Sequence, residues 1–348
     1  MKNTKCLLLA LTLTSLLLAL GGTAFGQPST QLTVTGDVNN PGATFTYSGL
    51  ASLPPATATV GADTYTGVPV WGLLNTVGIN TNPSVKNYTL RNYVVATATD
   101  GYRATFSFGE IDPAFGHQND LVAYNLNGSP LTTSGFARIV APTDIKRGRW
   151  VSNLENLNVQ HASQTPGNYP GGLSTSFTVT GQVNTPTPFT LNYLQSFTET
   201  FVTTSNGTVY GGVSLWTVLN STGIMTDPNV KNDILSKFVM ATGSDGYDTL
   251  ISLGEIDPEF GNQPDLIAYE KYVNGNPILF GNLDPSDNDS RNGFARLIVP
   301  GDTKAGRWVS NLVSLDVRNP EAVPEPGTLF LVGFGLFGLV GLRKRFKN

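Results

Sequence analysis

Apolar and polar positions alternate along this chain in short bursts separated by glycine, asparagine and proline. Gln31-Leu32-Thr33-Val34-Thr35 alternates up to Gly36, which predicts a strand ending there. Thr66-Gly67-Val68-Pro69 opens a segment whose apolar residues Val70, Leu73, Leu74 and Val77 share one helical face. Proline suits the first turn of that helix and Gly78 its stop. Tyr93 to Ala98 reads as a strand, Asp100-Gly101 as a tight turn, and Arg103 to Phe108 as the returning strand. Leu121 to Tyr124 and Phe136 to Val140 are further short strands, with Asn127-Gly128 turning between them. Trp150 to Val159 alternates as the closing strand. Several strands around one clear helix make an α+β pattern.

The same order then returns. Gly246 follows Gly101 by 145 residues, as Glu255 follows Glu110 and Trp216 follows Trp71. Trp308 follows Trp150 by 158, so the second copy carries 13 extra residues. A period of this size is a whole domain rather than one turn of a solenoid. The expected division is a first domain over 27–160, a Pro/Gly/Ser-rich linker over 161–173, and a second domain over 174–319. Copy two repeats the helix with Leu215, Val218 and Leu219, and its insertion includes Asp284-Pro285-Ser286-Asp287-Asn288-Asp289.

Both ends differ from the body. Residues 1–26 have a basic start (Lys2, Lys5), an apolar stretch from Leu7 to Leu20, and small residues Ala24 and Gly26 placed for cleavage before Gln27. That is the pattern of a secretory signal peptide. At the other end, 320–348, Pro324-Glu325-Pro326 precedes an apolar run from Thr328 to Leu342 and the cluster Arg343-Lys344-Arg345. This order resembles the PEP-CTERM sorting signal. The resemblance implies a short transmembrane span, transient inner-membrane association, and an exosortase as partner. It also implies delivery to the cell surface or exopolysaccharide matrix of a Gram-negative bacterium.

Composition narrows the classes. The chain has 348 residues, 40% hydrophobic and only 13% charged, with a net charge of −4. That supports two ordinary cores and gives no footprint for nucleic acid. Cys6 is the single cysteine and lies before the first apolar run, so a mature chain has no thiol for disulfides or metal.

The repeated domain resembles the molybdopterin-binding domain of sulfite oxidase-type oxidoreductases. Tyr65-Thr66-Gly67-Val68-Pro69-Val70-Trp71-Gly72-Leu73-Leu74 carries this, with Asp100-Gly101-Tyr102, Asn127-Gly128-Ser129-Pro130-Leu131, and Gly135-Phe136-Ala137-Arg138-Ile139-Val140 leading to Arg149-Trp150. Copy two matches with Val213-Ser214-Leu215-Trp216, Asp245-Gly246-Tyr247, Asn274-Gly275-Asn276-Pro277 and Gly293-Phe294-Ala295-Arg296 leading to Arg307-Trp308. The resemblance implies a cysteine thiolate on molybdenum, supplied from the segment before the Gly-Val-Pro helix. Here Ala56-Thr57-Ala58-Thr59-Val60 and Thr200-Phe201-Val202-Thr203-Thr204 hold none. The first arginine of the chain is Arg91, so the twin-arginine signal that exports prefolded cofactor enzymes is also absent.

Lys146, Arg149, Lys304 and Arg307 match positions where the family places basic residues near the cofactor's phosphate. Guanidinium forks do suit anions, but outside a cofactor site Arg149 and Arg307 read as solvated loop residues stacked beside tryptophan. Arg138 and Arg296 sit inside apolar strands and are expected to point into a cleft or to a buried partner, which makes them candidates for a residual anion or sugar site. Glu110, Asp112, Glu255 and Asp257 read as turn and capping chemistry rather than acid/base pairs. His117 and His161 are the only histidines, and Asn262 stands where His117 would recur, which argues against a histidine metal site or triad. The acidic insertion lacks the glycine and final glutamate of an EF-hand loop.

The expectation is therefore an exported protein of two tandem β-rich domains of sulfite oxidase type. They act without cofactor, as a binding or scaffold module toward exopolysaccharide or another matrix component. The alternative is a molybdopterin-dependent oxidoreductase using a non-cysteine ligand.

Overall fold

The computed structural model describes residues 27–321. The expected leader and sorting tail lie outside that range. Copy one contributes ten strands: β1 (Leu32–Gly36), β2 (Ala43–Phe45), β3 (Ala56–Val60), β4 (Asp63–Pro69), β5 (Asn92–Ala98), β6 (Arg103–Ser107), β7 (Leu121–Leu126), β8 (Ser129–Pro130), β9 (Arg138–Val140) and β10 (Leu154–His161). They form two sheets, ordered β2-β1-β10-β5-β6 and β3-β4-β7-β8, with β9 also on β7. The first and last long strands, β1 and β10, pair in parallel with Val34 opposite Leu157, while the other neighbours run antiparallel. The chain thus closes each copy by returning to where it began.

Copy two repeats this with β11 (Phe177–Gly181), β12 (Thr187–Phe189), β13 (Thr200–Thr203), β14 (Val209–Ser214), β15 (Phe238–Gly243), β16 (Asp248–Ser252), β17 (Leu266–Val273), β18 (Asn276–Leu279), β19 (Arg296–Ile298) and β20 (Leu312–Arg318). Its sheets have the same order. The chain is β-rich with few and short helices, and among the described residues no helix is long and apolar enough to cross a membrane.

The expected helix forms over Val70–Val77 and buries Val70, Leu73, Leu74 and Val77, with Gly78 at φ 90° ending it. Thr66 to Pro69, expected as its opening, belongs instead to β4. Tyr65, Thr66 and Val68 favour a strand, and a residue before proline is pushed to extended backbone. In copy two Ser214 supplies a side-chain cap, accepting from Thr217 N at 3.1 Å. Residues 161–173, the expected linker, are bonded to copy two. His161 ends β10, Arg318 Nη1 donates to Ser163 O at 2.7 Å, and Gln164 Nε2 donates to Gly246 O at 2.8 Å.

Each copy has its own core between its sheets. A further cluster joins Tyr93, Val95 and Ala162 to Phe238, Met240 and Leu250. Tyr93 and Phe238 are equivalent residues of the two copies, and their rings meet at 4.6 Å between centroids. Equivalent residues meet each other only where two like units face across a two-fold axis. The β5–β6 face of one copy therefore packs on the β15–β16 face of the other.

Phe238→Ala removes one of the two axial rings from a position 2% exposed. The expected cost is about 3 kcal/mol, read as a lower urea midpoint. An unchanged midpoint would show that the two copies do not stabilise each other there.

Candidate functional site

The repeated stretch noted in the sequence is what the two copies present to each other. Ser107 caps the single turn Phe108–Ile111, its Oγ accepting from Glu110 N at 3.0 Å; Ser252 does the same for Leu253–Ile256, accepting from Glu255 N at 3.2 Å. Serine followed three residues later by glutamate is a capping-box pattern, in which the glutamate folds back on its own turn. Here it crosses over. Ser252 Oγ donates to Glu110 Oε2 at 3.1 Å, and Ser107 Oγ donates to Glu255 Oε2 at 3.2 Å.

Each glutamate also receives an arginine. Arg149 donates from Nη1 to Glu110 Oε1, and from Nε and Nη2 to the two oxygens of Asp144 at 2.9 and 2.5 Å. Arg307 repeats this with Glu255 at 2.5 Å and with Asp302 at 2.9 and 2.5 Å. The side chains are 1% and 2% exposed. This corrects the expectation of solvated loop arginines beside tryptophan. Arg149 lies over the Phe106 ring, and the cations over Trp150 are Arg147 at 4.6 Å and Arg138 at 5.3 Å.

Two glycine pairs make the approach possible. A Cβ on Gly109 would lie 2.2 Å from Arg307 Cδ, and one on Gly254 would lie 2.6 Å from Arg149 Cδ. Likewise Gly148 and Gly306 each leave room for a phenylalanine of the other copy, with Phe260 and Phe115 Cε1 at 2.2 Å from the missing Cβ. Backbone bonds run alongside: Ile145 N to Phe260 O at 2.9 Å and Thr303 N to Phe115 O at 3.0 Å. Tyr102 OH donates to Gly148 O and accepts from Asn232, while Tyr247 OH donates to Gly306 O and accepts from Asn87.

Charge at this junction is unequal. Two guanidiniums face six carboxyls, those of Glu110, Asp120, Asp144, Glu255, Asp265 and Asp302. Burial pushes Glu110 up to about 7; Arg149 pulls it down and Glu255 pushes it further up. Burial likewise lifts Asp302 to about 6 against the pull of Arg307. Asp120 and Asp265 are raised well above the carboxylate range, by burial first and then by repulsion from Glu110 and Glu255 respectively. Both oxygens of each of these two aspartates lack a hydrogen-bond partner. The arginines stay charged: burial opposes this, and the surrounding carboxylates outweigh it.

The other candidates do not join this cluster. Lys146 forms an exposed ion pair with Glu259 at 2.7 Å. Among the described residues Lys304 forms no such ion pair, since Ala114 stands where Glu259 would recur. Arg138 bonds Ser134 at 3.3 Å and lies over Trp150, while Arg296 pairs with Asp289 at 2.6 Å and lies over Trp308. Both are half-buried. In the acidic insertion, Asp289 accepts from Tyr210, Lys271 and Arg296, and Asp287 from Lys271. Among the described residues no group of three or more acidic, histidine or cysteine side chains is placed to hold a metal. His117 takes the left-handed backbone (φ 52°) that Asn262 takes in copy two (φ 49°), and His161 stacks on Tyr88 at 4.1 Å.

Comparison with known proteins bears mainly on the tail. Residues 322–345 match the family model for the PEP-CTERM protein-sorting motif, which supports an exported protein sorted by an exosortase. No curated protein matches the chain. Among solved structures it is similar to the sulfane dehydrogenase SoxCD from Paracoccus pantotrophus, at 13% identity and a TM-score of 0.31, over 84% of this chain and 78% of that one.

Two outcomes test the junction. Gly306→Ala sets a methyl against Phe115 and is expected to cost about 1–3 kcal/mol, as overpacking does; stability unchanged in urea unfolding would remove the close approach. The second test is pH. The folded chain holds a proton on Glu110 that the unfolded chain releases between the ordinary 4.5 and about 7, so this group's contribution to stability is full below that window and is lost as pH rises through it. Between pH 5 and 8 the loss is on the order of 2–4 kcal/mol, and Glu110→Gln flattens the profile. A profile that climbs toward pH 8 would reverse the assignment.

Proposed function

We propose that this is an exported protein of the cell surface or extracellular matrix. Its two sulfite oxidase-like copies serve as a cofactor-free binding or scaffold module. One observation carries the reading. Arg149 and Arg307, which match the family's positions for holding the cofactor's phosphate, are filled by Asp144, Glu110, Asp302 and Glu255 and sealed between the copies. Each guanidinium already gives its Nε, Nη1 and Nη2 to carboxylates and is buried, so a phosphate would have to displace those carboxylates to take the fork.

The segment in the thiolate's place fits no better. It is β3, a strand at the sheet edge, where Thr57 and Thr59 are exposed and Ala58 is the buried residue. Threonine hydroxyls are poor substitutes for a charged, polarisable sulfur. The residues present do not fit a molybdopterin. The locked junction favours scaffold, since two copies fixed face to face present one constant surface instead of two movable sites.

The test is elemental and pterin analysis of the protein recovered from a host that makes molybdenum cofactor. The expected result is neither molybdenum nor pterin. Stoichiometric molybdenum would overturn the proposal and call for a ligand at Thr57 or Thr59. With neither present, the same preparation goes to a glycan-binding screen, which separates binding from scaffold.

A further inference from the structure

The two-fold relation between the copies also fails at the turn that follows β5 and β15. The Asp245-Gly246-Tyr247 turn of copy two is covered by the chain leaving copy one. A Cβ on Gly246 would meet Gln164 Nε2 at 3.1 Å and Tyr169 at 3.4 Å. The equivalent Gly101 would meet nothing within 4 Å. Beside Gly101 lies an open groove of about 870 Å³ between Asp100, Gly101 and Tyr102 on one wall and Met225, Val230 and Lys231 on the other. Met225 and Val230 are 46% and 50% exposed, large apolar side chains left facing water.

The chain leaving copy two enters this groove. Asn319 and Pro320 line it, and they hold the places of His161 and Ala162 at the later spacing of 158 residues. The correspondence continues into the next residue. Gln160 Nε2 donates to Glu321 O at 3.1 Å, as Arg318 Nη1 donates to Ser163 O at 2.7 Å. At the same spacing Ala322 stands for Gln164, the residue that covers the turn, and Pro324 stands for Pro166. Six residues separate Glu321 from the apolar run at Thr328, a reach of about 20–25 Å at most. At that tether length the segment meets the groove at high effective concentration.

We infer that the groove is the docking site for this chain's own segment 322–327, which carries Pro324-Glu325-Pro326. The folded body and an exosortase then compete for the same residues, so sorting requires the segment to leave the groove. This rests on the groove, the two-fold comparison and the sorting-motif match, and is independent of whether the copies hold a cofactor. Lys231 is exposed at the rim and makes no ion pair with a described residue, so it is available to Glu325, while Asp100 and Asp227 of the same lining keep that carboxylate to the Lys231 side.

The test is disulfide trapping in the full chain with Cys6→Ser, so that only introduced thiols react. Val230→Cys with Pro324→Cys probes the groove. Val85→Cys with Pro324→Cys probes the equivalent position of the covered turn, itself 39% exposed. The groove pair is expected to close within one chain about tenfold faster, as docking beside a short tether requires. Equal rates for the two pairs, or disulfides formed only between chains, would overturn the inference.

Discussion

Everything at the centre of this molecule depends on two arginines that reach only carboxylates. A guanidinium buried without partners costs several kcal/mol, and one paired with a well-placed carboxylate roughly recovers that cost. Arg149 and Arg307 are therefore weak sources of net stability and strong sources of orientation. Each can be satisfied only when its own aspartate, its own helical turn and the other copy's serine and glycine stand in one arrangement. A sliding or rotated pairing would leave buried charge without partners.

Like residues facing like across an axis is the geometry of a homodimer. Joined in one chain, the pair no longer depends on protein concentration, and the copies become free to differ. The differences are instructive. Lys146 has Glu259 across the junction, whereas Lys304 faces the place of Ala114. The insertion in copy two gives Arg296 the carboxylate of Asp289; among the described residues Arg138, in the copy without it, bonds the hydroxyl of Ser134 and no carboxylate. Cation over tryptophan is kept in both.

Much of this was legible in the chain. The duplication, most strands of the first sheet, and the apolar face of the helix follow from period and alternation, because those residues face a core within their own copy. The short β2 and β3 were not, since Ala43–Phe45 and Ala56–Val60 carry few buried positions to set a pattern. The role of Ser107, Gly109, Glu110, Gly148 and Arg149 was hidden for another reason. Each looks like turn or loop chemistry within one copy, and its partner lies 100 or more residues away in the other copy, or, for Arg149, in a turn that only the other copy buries. A signal did exist: charged residues and glycines recurred together at both copies, where turn chemistry alone would have tolerated exchange.

The same arginines show how side chains suited to anions can join two copies instead. A guanidinium fork accepts the two oxygens of a carboxylate as readily as two oxygens of a phosphate. Asp144 and Asp302 stand five residues before their arginines and occupy that fork from within the same loop. With the fork filled locally, the remaining Nη1 is free to reach the glutamate of the helical turn, and that glutamate to meet the other copy. Carboxylates of the chain itself thus turn two guanidinium forks into a joint. The unpaired protons needed to balance six carboxyls against two cations make the joint sensitive to acidity, which a bound phosphate dianion would not relieve, since it would add negative charge to a cluster already in excess.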